Sequence, residues 1–190
     1  RERKLPELRH FGIAEPIPLR SQSQPDQIDG LDGTNKLKVE KANMLYDAVE
    51  QIAQTACRAQ IFTAIENPGN SHYWVTTPMQ NLVREFGDKF VSFHNCCHGG
   101  ERDKLTSVWV LTDWLDSLNA RCDGSHPHKS WKVTVSGNTV SFPTADEAAY
   151  PFVLCERIID CIKHKVLSYG AIQSNNLEQQ LQQPDADAAG

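Results

Sequence analysis

Ile61-Phe62-Thr63-Ala64-Ile65-Glu66-Asn67-Pro68 is the stretch whose reading decides the fold. The apolar run over residues 61–65 predicts a short buried strand. Glu-Asn-Pro then puts a carboxylate, an amide and a rigid turn at its tip. In α/β sheets the carboxyl ends of strands are where ligands bind. Glu66 is therefore a candidate functional residue. The same residues also read as a plain Asn-Pro-Gly turn in which Glu66 caps the next element.

The flanking segments alternate helix and strand. Before the strand, residues 34–60 carry Ala42, Leu45, Val49, Ile52, Ala53 and Ala56 at helical spacing, with Thr34 as the cap. After it, Thr77-Pro78 starts a second helix that Gly87 ends. Residues 90–96 and 105–111 read as strands, the latter buried on both faces through Val108, Trp109 and Val110. A short helix is expected over 113–122. Residues 131–135 and 139–142 flank Gly137-Asn138, a hairpin signal.

Thr144-Ala145-Asp146-Glu147 is a capping box opening a helix that runs to about residue 168, bent or split at Pro151 and stopped at Gly170. Its buried stripe is read as Cys155, Ile158, Ile159, Ile162 and Val166. The order predicts an α/β layered fold with a mixed sheet flanked by helices. Residues 1–33, rich in proline, glycine and glutamine, form an extended loop segment; 34–170 form one domain; 171–190, rich in glutamine, asparagine and aspartate, form a disordered tail.

Composition bounds the function. The 190 residues are 39% hydrophobic and carry a formal net charge of −5, which argues against a surface that coats nucleic acid generically. No apolar run reaches the roughly 18 residues a bilayer span needs, so no membrane partner is expected. Six cysteines without a secretory signal point to a reduced, intracellular protein. The chain opens on Arg1 and reads as a piece of a longer protein.

Two further constellations carry chemistry. His98-Gly99-Gly100-Glu101-Arg102-Asp103-Lys104 has two glycines that let backbone approach a ligand, and Arg102 and Lys104 on one side if extended. It suits phosphate or base contacts, and equally a solvated loop. Cys96, Cys122, His126 and His128 offer two thiolates and two imidazoles, the donor set of a tetrahedral Zn²⁺ site. Cys97 replaces Cys96 if the strand register differs by one. Buried thiols and surface histidines are the plainer reading. A nucleophilic Cys96 or Cys97 is set aside, because the neighbouring His94 and His98 read as structural or metal-associated.

The order of these features resembles the later part of divergent cytosine-5 DNA methyltransferases, with Glu66-Asn67-Pro68 in place of the usual Glu-Asn-Val. Cys97–Thr106 is similar to that family's Tyr-Gly…Arg-x-Arg segment, and Phe142–Pro151 to its closing region. Pro18-Leu19-Arg20-Ser21, Cys122-Asp123-Gly124 and Phe142-Pro143-Thr144 are similar to methyltransferase-like proteins of mobile elements and protists. The resemblance implies a partial Rossmann-like domain, S-adenosylmethionine as cofactor of the parent protein, and DNA as partner. It implies that Glu66 holds a flipped cytosine and that Asn67, Arg102 and Lys104 contact nucleic acid, with Glu66 and Arg102 as catalytic residues. The glycine-rich cofactor loop and the Pro-Cys nucleophile are not in this chain, so it is expected to be inactive alone. The alternative is a zinc-stabilised, non-enzymatic module that binds protein or nucleic acid.

Overall fold

A computed structural model of the chain describes residues 17–136 and 139–181. The chain divides into two compact units: one runs to Thr63 and takes in Ser71–Asp88, and the other comprises Ala64–Asn70 and the chain from Lys89 on.

The first unit pairs two helices. Helix α1, Gly33–Arg58, is capped by Asp32, whose carboxylate accepts from the Asn35 N–H at 2.8 Å. Thr34, the expected cap, lies inside the helix. The buried face is Val39, Ala53 and Cys57, and Leu45 and Ile52 point outward at 66% and 69% exposure. Tyr46 takes the inner face instead, edge-on to Tyr73 with ring centroids 4.8 Å apart, because an aromatic ring buries more area than either aliphatic chain. Helix α2, Thr77–Phe86, ends at Gly87 with φ 102° as expected, and Pro78 lies in its first turn; Thr77, expected as a hydroxyl cap, is the first helical residue, and Thr76 before it makes no side-chain cap hydrogen bond. The loop ahead of α1 is ordered by contact. Arg20 donates to the carbonyls of Pro25 and Asp26, both at 2.7 Å, and sits over the Tyr46 ring, and Asp26 accepts from Thr77 at the start of α2.

The second unit is built on a three-stranded sheet of β1 (Ala64–Pro68), β2 (Phe90–His94) and β3 (Leu105–Val110), in the order β1-β3-β2. Every pairing in it is antiparallel, with Glu66 opposite Val108 and Val91 opposite the same residue. The sheet expected to be mixed is therefore antiparallel, and its one parallel contact among the described residues is the isolated bridge Phe93–Ala120. The first strand begins at Ala64 and not at residue 61, so Glu66, Asn67 and Pro68 are strand residues and not a turn. Pro68 is tolerated because β1 is an edge strand. The central strand is buried from Thr106 to Val110, as its run of apolar residues predicts.

The rest follows in shorter pieces. The expected 113–122 helix is only a 3₁₀ turn, Asp116–Leu118. Strands β4 (Thr134–Ser136) and β5 (Thr139–Ser141) pair as the expected hairpin, whose Gly137-Asn138 turn lies outside the described residues. A single turn, α3 (Pro143–Asp146), precedes Pro151, and helix α4 then runs Phe152–Leu181. Gly170 does not stop it, and residues 171–181, expected to be disordered, continue it; extending a formed helix is far cheaper than nucleating one, and the segment ends in Leu-Glu-Gln-Gln-Leu, all good helix formers.

The core of this unit is Val91, Phe93, Val108, Val110, Leu115, Leu118 and Leu154, with Trp114, Ala120, Ile158 and Cys161 packed against it. The helix thus lays Leu154, Ile158 and Cys161 on the sheet, while Ile159 and Val166 from the expected stripe stand about half exposed. No helix among the described residues is long and apolar enough to cross a membrane.

Candidate metal centre

Strand β2 ends at His94, and the chain turns at once into a 3₁₀ segment, Asn95–His98. Asn95 fixes that turn. It is 1% exposed, its amide oxygen accepts from the Thr106 hydroxyl at 2.9 Å, and its carbonyl accepts from Gly100 N–H at 2.8 Å. A Cβ at Gly100 would stand 2.9 Å from that carbonyl, so the glycine is required by close approach. The turn presents Cys96. His98 points the other way, buried edge-on to Phe93, with Nε2 2.9 Å from the Leu118 carbonyl and Nδ1 2.7 Å from the Arg157 guanidinium. Arg157 can only donate, so Nδ1 accepts and Nε2–H donates. Burial and the Arg157 charge keep this imidazole below the usual histidine range, outweighing the carbonyl contact. His98 is a structural residue.

Cys122 arrives from the far side of β2. The Phe93–Ala120 bridge, with His94 N–H to the Ala120 carbonyl at 3.0 Å, ties the chain to the strand just before it. His94 Nδ1 then accepts from the Cys122 N–H at 3.1 Å. Gly124, at φ 77°, turns its N–H back onto Cys122 Sγ at 3.3 Å. His126 and His128, separated by the stiff Pro127, bring both Nε2 atoms to the same point: 3.9 and 3.3 Å from Cys122 Sγ, and 3.0 Å from each other.

The ligand atoms of Cys96, Cys122, His126 and His128 all lie within 4.8 Å of one another, the one group of three or more such residues among those described. With Zn–S near 2.3 Å and Zn–N near 2.05 Å, a tetrahedron has S–N edges of about 3.5 Å and an N–N edge of about 3.3 Å. The edges among Cys122, His126 and His128 fall within about 0.4 Å of those values. Of the two adjacent cysteines, Cys96 and not Cys97 is in the group. Two thiols and two imidazoles suit a divalent zinc ion and leave it no open position. Without a cation, burial and the neighbouring Cys122 and Cys97 thiols push Cys96 up to about 12. A dication reverses that balance, because the thiolate is the ligand.

The loop that carries His126 and His128 of this candidate site is held by polar staples. Lys129 N–H donates to the Glu101 carbonyl at 2.8 Å, and its ammonium pairs with the Glu101 carboxylate. Trp131 Nε1–H donates to Asp103 at 2.7 Å and holds that carboxyl below its usual range. Arg102, 3% exposed, donates to the Ser130 carbonyl and to Glu147 at 2.8 Å, with its guanidinium over the Trp131 ring. The nucleic-acid contacts read into Arg102 and Lys104 therefore meet prior partners, since the Lys104 ammonium donates to the Glu147 carbonyl at 3.3 Å.

Glu147 spends its carboxylate on Arg102 and not on a capping box. Glu66 accepts from the Tyr150 hydroxyl at 2.8 Å through Oε2, and its buried Oε1 has no hydrogen-bond partner among the described residues. Asn67 is half-buried in β1 opposite Ser107. Glu66, Arg102 and Lys104 thus converge on one segment, 147–150, as its anchors. Of their partners, Glu147 was read in the sequence only as part of a capping box and Tyr150 was given no role; nothing in their spacing marks a contact across 45 and 84 positions.

Comparison with known proteins finds no match: no family model, no curated protein and no solved structure resembles this chain.

Proposed function

We propose that this chain is a zinc-stabilised binding module, in which Cys96, Cys122, His126 and His128 hold one structural ion and the loop around it is the recognition surface. The observation that carries the reading is the convergence of four soft or borderline donor atoms within 4.8 Å, from two segments brought together only by folding. Four protein ligands fill a tetrahedral ion, so the ion's role is to fix the loop and not to activate water. The net charge of −5 favours a protein partner over generic nucleic-acid coating. Elemental analysis of the chain refolded with zinc tests it: one zinc per chain is expected, reduced to none by Cys122→Ser. Chelation should abolish amide protection in residues 121–131 while β3 stays protected. A metal-free chain whose melting is unmoved by chelator and by Cys122→Ser would sink the reading.

A second reading is a cytosine-5 methyltransferase-like fragment, whose parent uses S-adenosylmethionine and DNA. Its support is the Glu66 carboxylate, with one oxygen held by Tyr150 and the other without a hydrogen-bond partner among the described residues. Glu66→Gln in the parent protein should abolish turnover with little change in melting. Unchanged turnover removes Glu66 from that role.

A further inference from the structure

Helix α4 has two apolar rows, and the sheet uses one. Leu154, Ile158 and Cys161 face the core of their unit. A second row, Phe152, Cys155, Ile159, Ile162 and Val166, recurs at alternating steps of three and four residues. Phe152, Ile159, Ile162 and Val166 are 75%, 49%, 41% and 53% exposed. At 3.6 residues per turn this row lies about a third of a turn around from the core row. It is the a/d spacing of a coiled coil, with Phe152, Ile159 and Val166 at a, and Cys155 and Ile162 at d. The helix spans 30 residues, about 45 Å, and a long exposed helix with one row unburied is marginal in water.

We infer that this row is the seam of a two-fold symmetric dimer, in which α4 of one copy packs antiparallel on α4 of a second copy of this chain. The charges choose both partner and direction. Glu156 and Lys163 occupy the e positions that flank the seam. In an antiparallel pair centred between Ile159 and Ile162, each Ile159 meets Ile162 of the other copy, and each Cys155 meets Val166 of the other copy. Glu156 then lies beside Lys163 of the other copy, and symmetry makes that contact twice. A parallel pair would set Lys163 against Ile158 and match no opposite charges. Lys163 is free to take the new partner. Its present pairing with Asp160 is long, 3.5 Å, and both groups are about two-thirds exposed, so it contributes little.

The test uses the full chain, zinc-loaded, in sedimentation equilibrium. Twice the chain mass is expected at micromolar concentration. Ile159→Glu with Ile162→Glu should give a monomer whose β3 amide protection is unchanged, since neither residue packs in the core. Lys163→Glu sets Glu156 against a like charge twice and should weaken the dimer roughly tenfold. Adding Glu156→Lys should restore it, a rescue that a merely structural effect of either residue does not produce. Mild oxidation of Val166→Cys should join position 166 of one copy to Cys155 of the other. A monomeric chain up to about 100 µM overturns the inference. So does failure of the charge swap to rescue, and so does a Cys155–Cys155 cross-link in the unsubstituted chain, which requires the parallel arrangement.

Discussion

Strand β2 joins two regions held by opposite means. Val91 and Phe93 sink into an apolar core with Val108, Leu118 and Leu154, each almost fully buried. The segment from Arg121 to Ser130, a few residues beyond the bridge at Phe93, has no buried residue, yet its backbone and side chains are pinned at Cys122, Lys129 and Ser130. The first region is held by area removed from water. The second has too little apolar area for that, and convergent donor atoms and charge-assisted hydrogen bonds replace it. A small unit can therefore carry a rigid exposed loop, provided the loop brings its own fastenings.

The sharpest way to break the comparison is at Phe93, 2% exposed and at the junction. Phe93→Ala should cost about 3–5 kcal/mol of unfolding free energy, read from the urea midpoint. It should also loosen the metal loop, because Ala120 pairs at this position. Removing the metal should not do the reverse. A substitution at Phe93 that lowers the midpoint while leaving protection over 121–131 intact would show that the two regions are independent.

Arg102 is the next test, since it is the one staple of the loop that is itself buried. Its ion pair with Glu147, at 3% and 10% side-chain exposure, has paid its desolvation together, and removing one partner strands the other. Arg102→Ala should cost about 3 kcal/mol and reduce zinc affinity by roughly tenfold, the scale of an outer-shell loss. Lys129→Ala, which breaks a pair with both partners more than half exposed, should move neither quantity measurably. Equal effects from the two would mean the loop is held by net charge and not by burial.

These contrasts explain which features were legible in the sequence. Helix α2 was readable because Pro78 and Gly87 act locally, on their own backbone. Strand β3 was readable because it is buried on both faces over Thr106–Val110 and so carries the unbroken run Val108-Trp109-Val110. The Cys/His cluster was readable as a candidate because metal chemistry restricts the residue types, even though Cys96 and Cys122 are brought together by the Phe93–Ala120 bridge and not by any standard spacing. Strand β1 was misplaced by three residues because Glu66 and Pro68 look like a turn; they are tolerated in the strand only because it is an edge with Tyr150 beside the carboxylate. The face of α4 was misread because two apolar rows run side by side, and periodicity alone does not say which one the sheet takes. Direction of the sheet was invisible for the same reason: pairing is a long-range choice.

The smallest expected effect compares two tyrosines, one in each unit. Tyr73 is 3% exposed and its buried hydroxyl has no hydrogen-bond partner among the described residues; the Tyr150 hydroxyl donates to Glu66. Tyr73→Phe should thus be neutral or stabilise by up to about 1 kcal/mol, because it removes an unpaired polar atom. Tyr150→Phe should destabilise slightly, leaving a Glu66 oxygen without its donor. Both hydroxyls are pushed up to about 12, Tyr73 by burial with Tyr46 and Glu50 nearby, Tyr150 by burial and then by Glu66. An unfolded tyrosine titrates near 10, so each group's contribution is complete below about pH 10 and is lost as pH rises towards 12. Each Phe variant should flatten the fall of the urea midpoint over that interval and remove one late step from the tyrosinate absorbance titration. Only Tyr150→Phe should also lower the midpoint at neutral pH. If Tyr73→Phe lowers it as much, the Tyr73 hydroxyl has a partner, and the first unit, like the second, uses a polar contact where burial alone was read.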